Sequence, residues 1–107
     1  MSKKLSIWVS LNDTYVTRVI DEIIKEKQDY FEKAAAECSY VVLSDSVKTV
    51  DNESRNQFMW CILISEEYPE KYRLSANVFV LSREELSAGK DLDKLLDVFW
   101  RQINRKR

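Results

Sequence analysis

The stretch Phe58-Met59-Trp60-Cys61-Ile62-Leu63-Ile64 decides how this chain folds. Seven consecutive apolar residues fall well short of the about 20 that a bilayer span needs, and they are too unbroken for a strand with one wet face. A strand buried on both faces reads this way, because successive side chains point to opposite sides of a sheet. Ser65-Glu66-Glu67-Tyr68-Pro69 ends it in a charged turn.

On the amino-terminal side, Leu5, Ile7, Val9 and Leu11 alternate with Ser6, Trp8 and Ser10, the pattern of a strand with one face in the core. Asn12-Asp13-Thr14 then supplies side-chain oxygens that suit a helix N-cap. A long helix is predicted from about Thr14 to about Glu37, with Val16, Ile20, Ile23, Ile24, Phe31 and Ala34 on one stripe. Asp21–Lys25 and Asp29–Lys33 stand four apart in acid-first order, a favourable pairing on such a helix. Ser39 to Ser44 is a short β-branched and aromatic run, hence a second strand. Residues 45–56 turn polar: Val47 and Val50 are candidates to extend the second strand, and Asp51 to Asn56 reads as a loop.

Beyond Pro69, the run from Tyr72 to Leu81 alternates Leu74, Ala76, Val78 and Val80 with polar residues, so a fourth strand is predicted there. Ser82-Arg83-Glu84-Glu85 has the form of a capping box, and Gly89 sits where a short helix would end. Asp91 is placed to cap a last helix carrying Leu92, Leu95, Leu96, Phe99 and Ile103 on one stripe. The expectation over residues 1–107 is a single α+β domain, a two-layer sandwich of order β-α-β-β-β-α(-α). Its four-stranded, mostly antiparallel sheet carries the long first helix and the last helix on one face. A ferredoxin-like arrangement is the alternative.

Composition narrows the function classes. The 107 residues carry 17 basic and 18 acidic side chains, a formal charge of −1, which offers no global attraction to phosphate backbones. One glycine excludes a glycine-rich phosphate loop, and the absence of histidine removes Ser-His-Asp and Cys-His pairs and His-ligated zinc. The amino-terminal apolar run is too short for a secretion signal, so the expected compartment is the cytoplasm. Cys38 and Cys61 are then expected as reduced thiols acting as small core residues, and no cofactor or metal is expected. Asp45, Asp51, Glu53, Glu66 and Glu67 follow strands or lie in loops, as in a Mg²⁺-dependent nuclease. The Glu-x-Lys of the nuclease core with helix–strand–strand–strand–helix topology is missing, because the central strand carries no charge.

Ile7-Trp8-Val9-Ser10-Leu11-Asn12, an aromatic flanked by aliphatics at a strand end, resembles the first signature of RNA-recognition motifs. Arg55, Phe58 and Trp60 are loosely similar to the second, although its glycine and repeated aromatics are lacking. That resemblance implies base stacking on Trp8 and Trp60. With the basic residues Arg101, Arg105, Lys106 and Arg107 at the carboxyl end, it makes RNA or single-stranded DNA the alternative ligand.

The expectation placed first is a non-enzymatic protein-binding module that acts by occupying a partner's surface. Two helices cover one face of the sheet, leaving the second face, with Trp8, for a homodimer partner or another protein; the polar loop and the segment around 82–89 are the competing cover. Trp8, Trp60 and an exposed Trp100 are the expected anchors, with Arg101 and Arg105 beside them, since Trp and Arg dominate binding hot spots. Accessory subunits and small inhibitors of phage or mobile-element type fit this description by association.

Overall fold

Leu5–Ser10 forms the first strand, β1, and Thr14–Glu26 the first helix, α1, in the computed structural model, which describes residues 2–87 and 90–105. Asp13 caps α1 as its residue type suggests, its carboxylate accepting from the N–H groups of Tyr15 at 2.9 Å and Val16 at 3.4 Å. Val16, Ile20 and Ile23 form the buried stripe of α1.

The helix does not reach Glu37. The N–H groups of Tyr30 and Phe31 both bond the Lys27 carbonyl, and Phe31–Lys33 (β2) lies parallel to β1 with Phe31 opposite Leu5. Phe31 and Ala34 continue the helical stripe by spacing. As a strand residue beside Leu5, however, Phe31 becomes 1% exposed, a burial worth about 1.5–3 kcal/mol that overrides local propensity.

The remaining elements are Val41–Ser44 (β3), Val47–Glu53 (α2), Trp60–Ile64 (β4), Val78–Leu81 (β5), Arg83–Ser87 (α3) and Lys90–Ile103 (α4). Short 3-10 turns stand at Ala36–Cys38 and Glu70–Tyr72. The strands build one five-stranded sheet of order β2-β1-β3-β4-β5, and every neighbouring pair is parallel. The domain is a compact α+β unit, but the expected four-stranded, mostly antiparallel sheet is corrected. Residues 45–59 and 65–77 are each long enough for a crossover, which returns the chain to the same end of the sheet, whereas a hairpin needs only a few residues.

The segment read as a polar loop supplies the missing layer. Ser46 caps α2 through a 3.3 Å bond from Thr49 N–H, and Val50 packs with Val42, Met59, Cys61, Leu63, Tyr72 and Val78. On the opposite face α1, α3 and α4 bury Leu5, Ile7, Val41, Leu43, Ile62 and Ile64 against Val16, Ile20, Leu86, Leu92, Leu96 and Phe99. The helices thus lie on both faces, three layers instead of two. Along β4 the two faces alternate, as in a strand buried on both sides: Ile62 and Ile64 face α1 and α4, while Cys61 and Leu63 face α2.

The predicted fourth strand shrinks to Val78–Leu81, and Leu74 stands 99% exposed in the loop before it. Phe58 precedes β4 and is 90% exposed. The capping box at α3 forms as written, with Glu85 N–H donating to Ser82 Oγ at 3.2 Å and Ser82 N–H to Glu85 Oε1 at 2.9 Å. Asp91 lies inside the first turn of α4 instead of capping it. The reading of Gly89 as a helix terminator lies outside the described residues.

Candidate binding surface

In an open parallel sheet, ligands settle beyond the carboxyl ends of the strands where the winding direction reverses. Here that point lies between β1 and β3, because the chain passes from β1 out to β2 and returns to β3 on the other side. The crevice is occupied by the chain's own groups. Asp45 Oδ2, just after β3, accepts from the backbone N–H of Asn12 at 2.9 Å and of Asp13 at 3.1 Å. Asn12 Nδ2 reaches Asp45 Oδ1 at 3.3 Å. These are the amides that an incoming anion would use, and a carboxylate already neutralises them.

Arg83, just after β5, closes the other side. Its Nε pairs with Asp13 Oδ2 at 2.9 Å, its guanidinium lies 4.7 Å from the Tyr15 ring, and its backbone N–H bonds Glu66 Oε1 at 3.2 Å. The small cleft lined by Tyr15, Glu66, Arg83 and Glu84 is correspondingly acidic around one arginine. Among the described residues no group of three or more His, Cys, Asp and Glu could hold a metal ion. The acids considered for Mg²⁺ are dispersed: Asp45 and Glu66 serve these loops, and Asp51 sits on α2.

Asp51 has its own role. Tyr72 Oη donates to Asp51 Oδ1 at 2.5 Å and Lys71 Nζ stands 2.6 Å from Oδ2. The Lys71 bond, then the Tyr72 bond, hold the Asp51 carboxyl below its usual value, while burial and then the Asp51 bond push the Tyr72 phenol up. This pair fastens α2 to the 70–72 turn across the second sheet face, on which β4 had seemed to ask for an external cover.

The three tryptophans do not converge. Trp8 packs half-buried on the α2 side and lines an open groove of ≈ 620 Å³ with Val47, Lys48, Thr49 and Asn52. Trp60 lies on the other face, stacked on Phe99 with ring centroids 4.5 Å apart and planes 7° off parallel. A common base-stacking platform of Trp8 and Trp60 is therefore not formed. Trp100, expected to be exposed, packs against the core with the Tyr30 ring edge-on at 5.0 Å, and its Nε1 is buried without a hydrogen-bond partner. Arg101 and Arg105 are exposed on and just past the end of α4; Lys106 and Arg107 lie outside the described residues. Around Trp100 the charges are mixed, with Lys27 2.8 Å from Asp93 and 3.3 Å from Asp97. The bond to Asp93 leads in raising the Lys27 pKa.

The exposed apolar surface lies elsewhere. Phe58 and Leu74 project from the two loops entering β4 and β5. Asn77 Nδ2 ties those loops together, donating to the carbonyls of Ser54, Asn56 and Met59 at 3.0, 3.2 and 3.1 Å. A separate groove of ≈ 430 Å³ follows β5 along the sheet edge, lined also by Tyr68 and by Leu95 and Val98 of α4. Sequence reasoning placed Phe58 and Leu74 inside strands, and no periodicity separates them from core residues. Val98, 48% exposed, went unnamed there, although its position off the α4 stripe is the signal that sets it apart. No family model matches the chain, and neither curated proteins nor solved structures give a significant match.

Among the described residues no helix is long and apolar enough to cross a membrane.

Proposed function

We propose that this protein is a non-enzymatic protein-binding module that works by covering part of a partner's surface. The observation that carries the reading is the pair Phe58 and Leu74, two large apolar side chains almost fully in water on adjacent, cross-tied loops. Holding both in solvent forgoes about 1.5–3 kcal/mol per side chain, which a partner's apolar patch would recover. The Asn77 bonds fix the loops beforehand, so little ordering cost falls on binding. The self-filled crevice at the carboxyl end of the sheet supports the same reading, since the customary place for a small ligand in this topology is already occupied. Accessory subunit and small inhibitor are the two forms such a module takes.

The test is affinity purification from the native host with the wild-type chain and a Phe58→Ser/Leu74→Ser variant, followed by mass spectrometry. A stoichiometric protein retained by the first and lost by the second is expected. The same set of proteins on both, or none at stoichiometry, overturns the reading.

A further inference from the structure

The two edges of the sheet are built differently. The β2 edge is three residues long, and two of them, Glu32 and Lys33, are charged and exposed. Short length and charge are the usual means of keeping a strand edge from pairing. The β5 edge, Val78-Phe79-Val80-Leu81, has no charge and no proline. Its Asn77 and Leu81 carbonyls accept from Cys61 and Ser65 of the β4 side, so alternation along the strand turns the N–H and C=O of Val80 outward. The groove described above runs along this edge, with Tyr68, Leu95 and Val98 as apolar walls.

We infer that β5 pairs with β5 of a second copy of this chain, antiparallel about a two-fold axis near Val80, with α4 meeting its counterpart through Leu95 and Val98. This goes beyond the protein-binding reading, which rests on Phe58 and Leu74, by naming a second contact and the edge it takes. Three observations select a second copy. The rim of the groove carries one acid and one base, Asp91 and Lys94, so the surface complements itself when rotated onto its own image. A formal charge of −1 per chain sets little repulsion between copies. The charged β2 edge cannot extend the sheet further, so pairing at β5 closes at two chains.

Sedimentation velocity over a wide concentration range tests this. The full chain is expected to run at twice its 12.7 kDa mass at high concentration and to dissociate on dilution. Val98→Glu, at a half-exposed position, sets like charges across the axis, and Val80→Pro removes an outward N–H that the chain's own sheet does not use. Both variants are expected to be monomers with unchanged circular dichroism, while Phe58→Ser/Leu74→Ser remains a dimer. A wild-type monomer at every concentration, or a dimer that survives both edge variants, overturns the inference. Either result leaves the Phe58–Leu74 purification test standing on its own outcome.

Discussion

Tyr72 Oη and Asp51 Oδ1 lie 2.5 Å apart, joining the turn before β5 to the middle of α2 over the second face of the sheet. Tyr72 is buried and Asp51 is still reached by water, so the bond stabilises at the low end of the range for hydrogen bonds to charge. Tyr72→Phe is expected to lower unfolding free energy by about 1–2 kcal/mol in urea titrations. Circular dichroism should be unchanged.

The same pair sets two limbs of a pH profile. The folded Asp51 carboxyl titrates below its ordinary 3.8, so its contribution is complete above that value and is lost as pH falls through the lowered one. The folded Tyr72 phenol titrates above its ordinary 10.0, so its contribution is complete below pH 10 and is lost as pH rises beyond it. Urea midpoints measured from pH 2 to 11 should show both losses. Tyr72→Phe should flatten the alkaline limb and Asp51→Asn the acid one; limbs of wild-type steepness in both variants would sink the assignment.

Asp45 holds the β1–α1 loop by accepting two backbone N–H groups. Asp45→Ala hands those partly exposed donors back to water and is expected to cost about 0.5–1.5 kcal/mol, read as a shift in the thermal midpoint. The freed amides should also acquire weak affinity for inorganic phosphate, visible as a midpoint that rises with phosphate in Asp45→Ala and not in the wild type.

The two thiols should separate cleanly in alkylation. Cys38 is exposed, whereas burial pushes the buried Cys61 thiol up to about 12 and denies it the thiolate form. One equivalent of iodoacetamide is expected to react with the native chain, at Cys38, and the second only after unfolding. The sequence reading of both cysteines as core residues is right for Cys61 alone.

Two phenylalanines make a matched comparison. Phe99→Ala removes a ring stacked on Trp60 and set edge-to-face with Phe79 at 5.3 Å, and is expected to cost about 3–5 kcal/mol. Phe58→Ala removes a ring in solvent and should leave stability within about 0.5 kcal/mol. Denaturant midpoints on the two variants decide it.

What the sequence disclosed about this fold follows from which forces act locally. β1, β3, β4 and the α4 stripe were legible because the apolar pattern of each is set by burial it keeps in the final structure. Asp13 and the Ser82–Glu85 box were legible because capping is settled within four residues. The direction of the strands was not. Between β3 and β4 it depends on α2, whose single fully buried side chain, Val50, sits among polar neighbours and leaves almost no periodic trace. Phe31 was misassigned for the converse reason, a helical spacing outvoted by pairing with Leu5. The candidate surface was hardest: Phe58 and Leu74 carry the same apolar signal as Ile62 or Val78, and only the ends of the strands tell them apart.

The all-parallel order also has a consequence for how fast the chain can fold. Each strand must wait for an entire crossover before it meets its neighbour, and β1 finds β3 only after residues 11–40 have been folded back. With no hairpin among the described residues to serve as an early nucleus, most stabilising pairings arrive after long loop closures. Refolding in milliseconds to seconds is expected, with the helices α1 and α4, whose bonds are local, able to form ahead of the sheet.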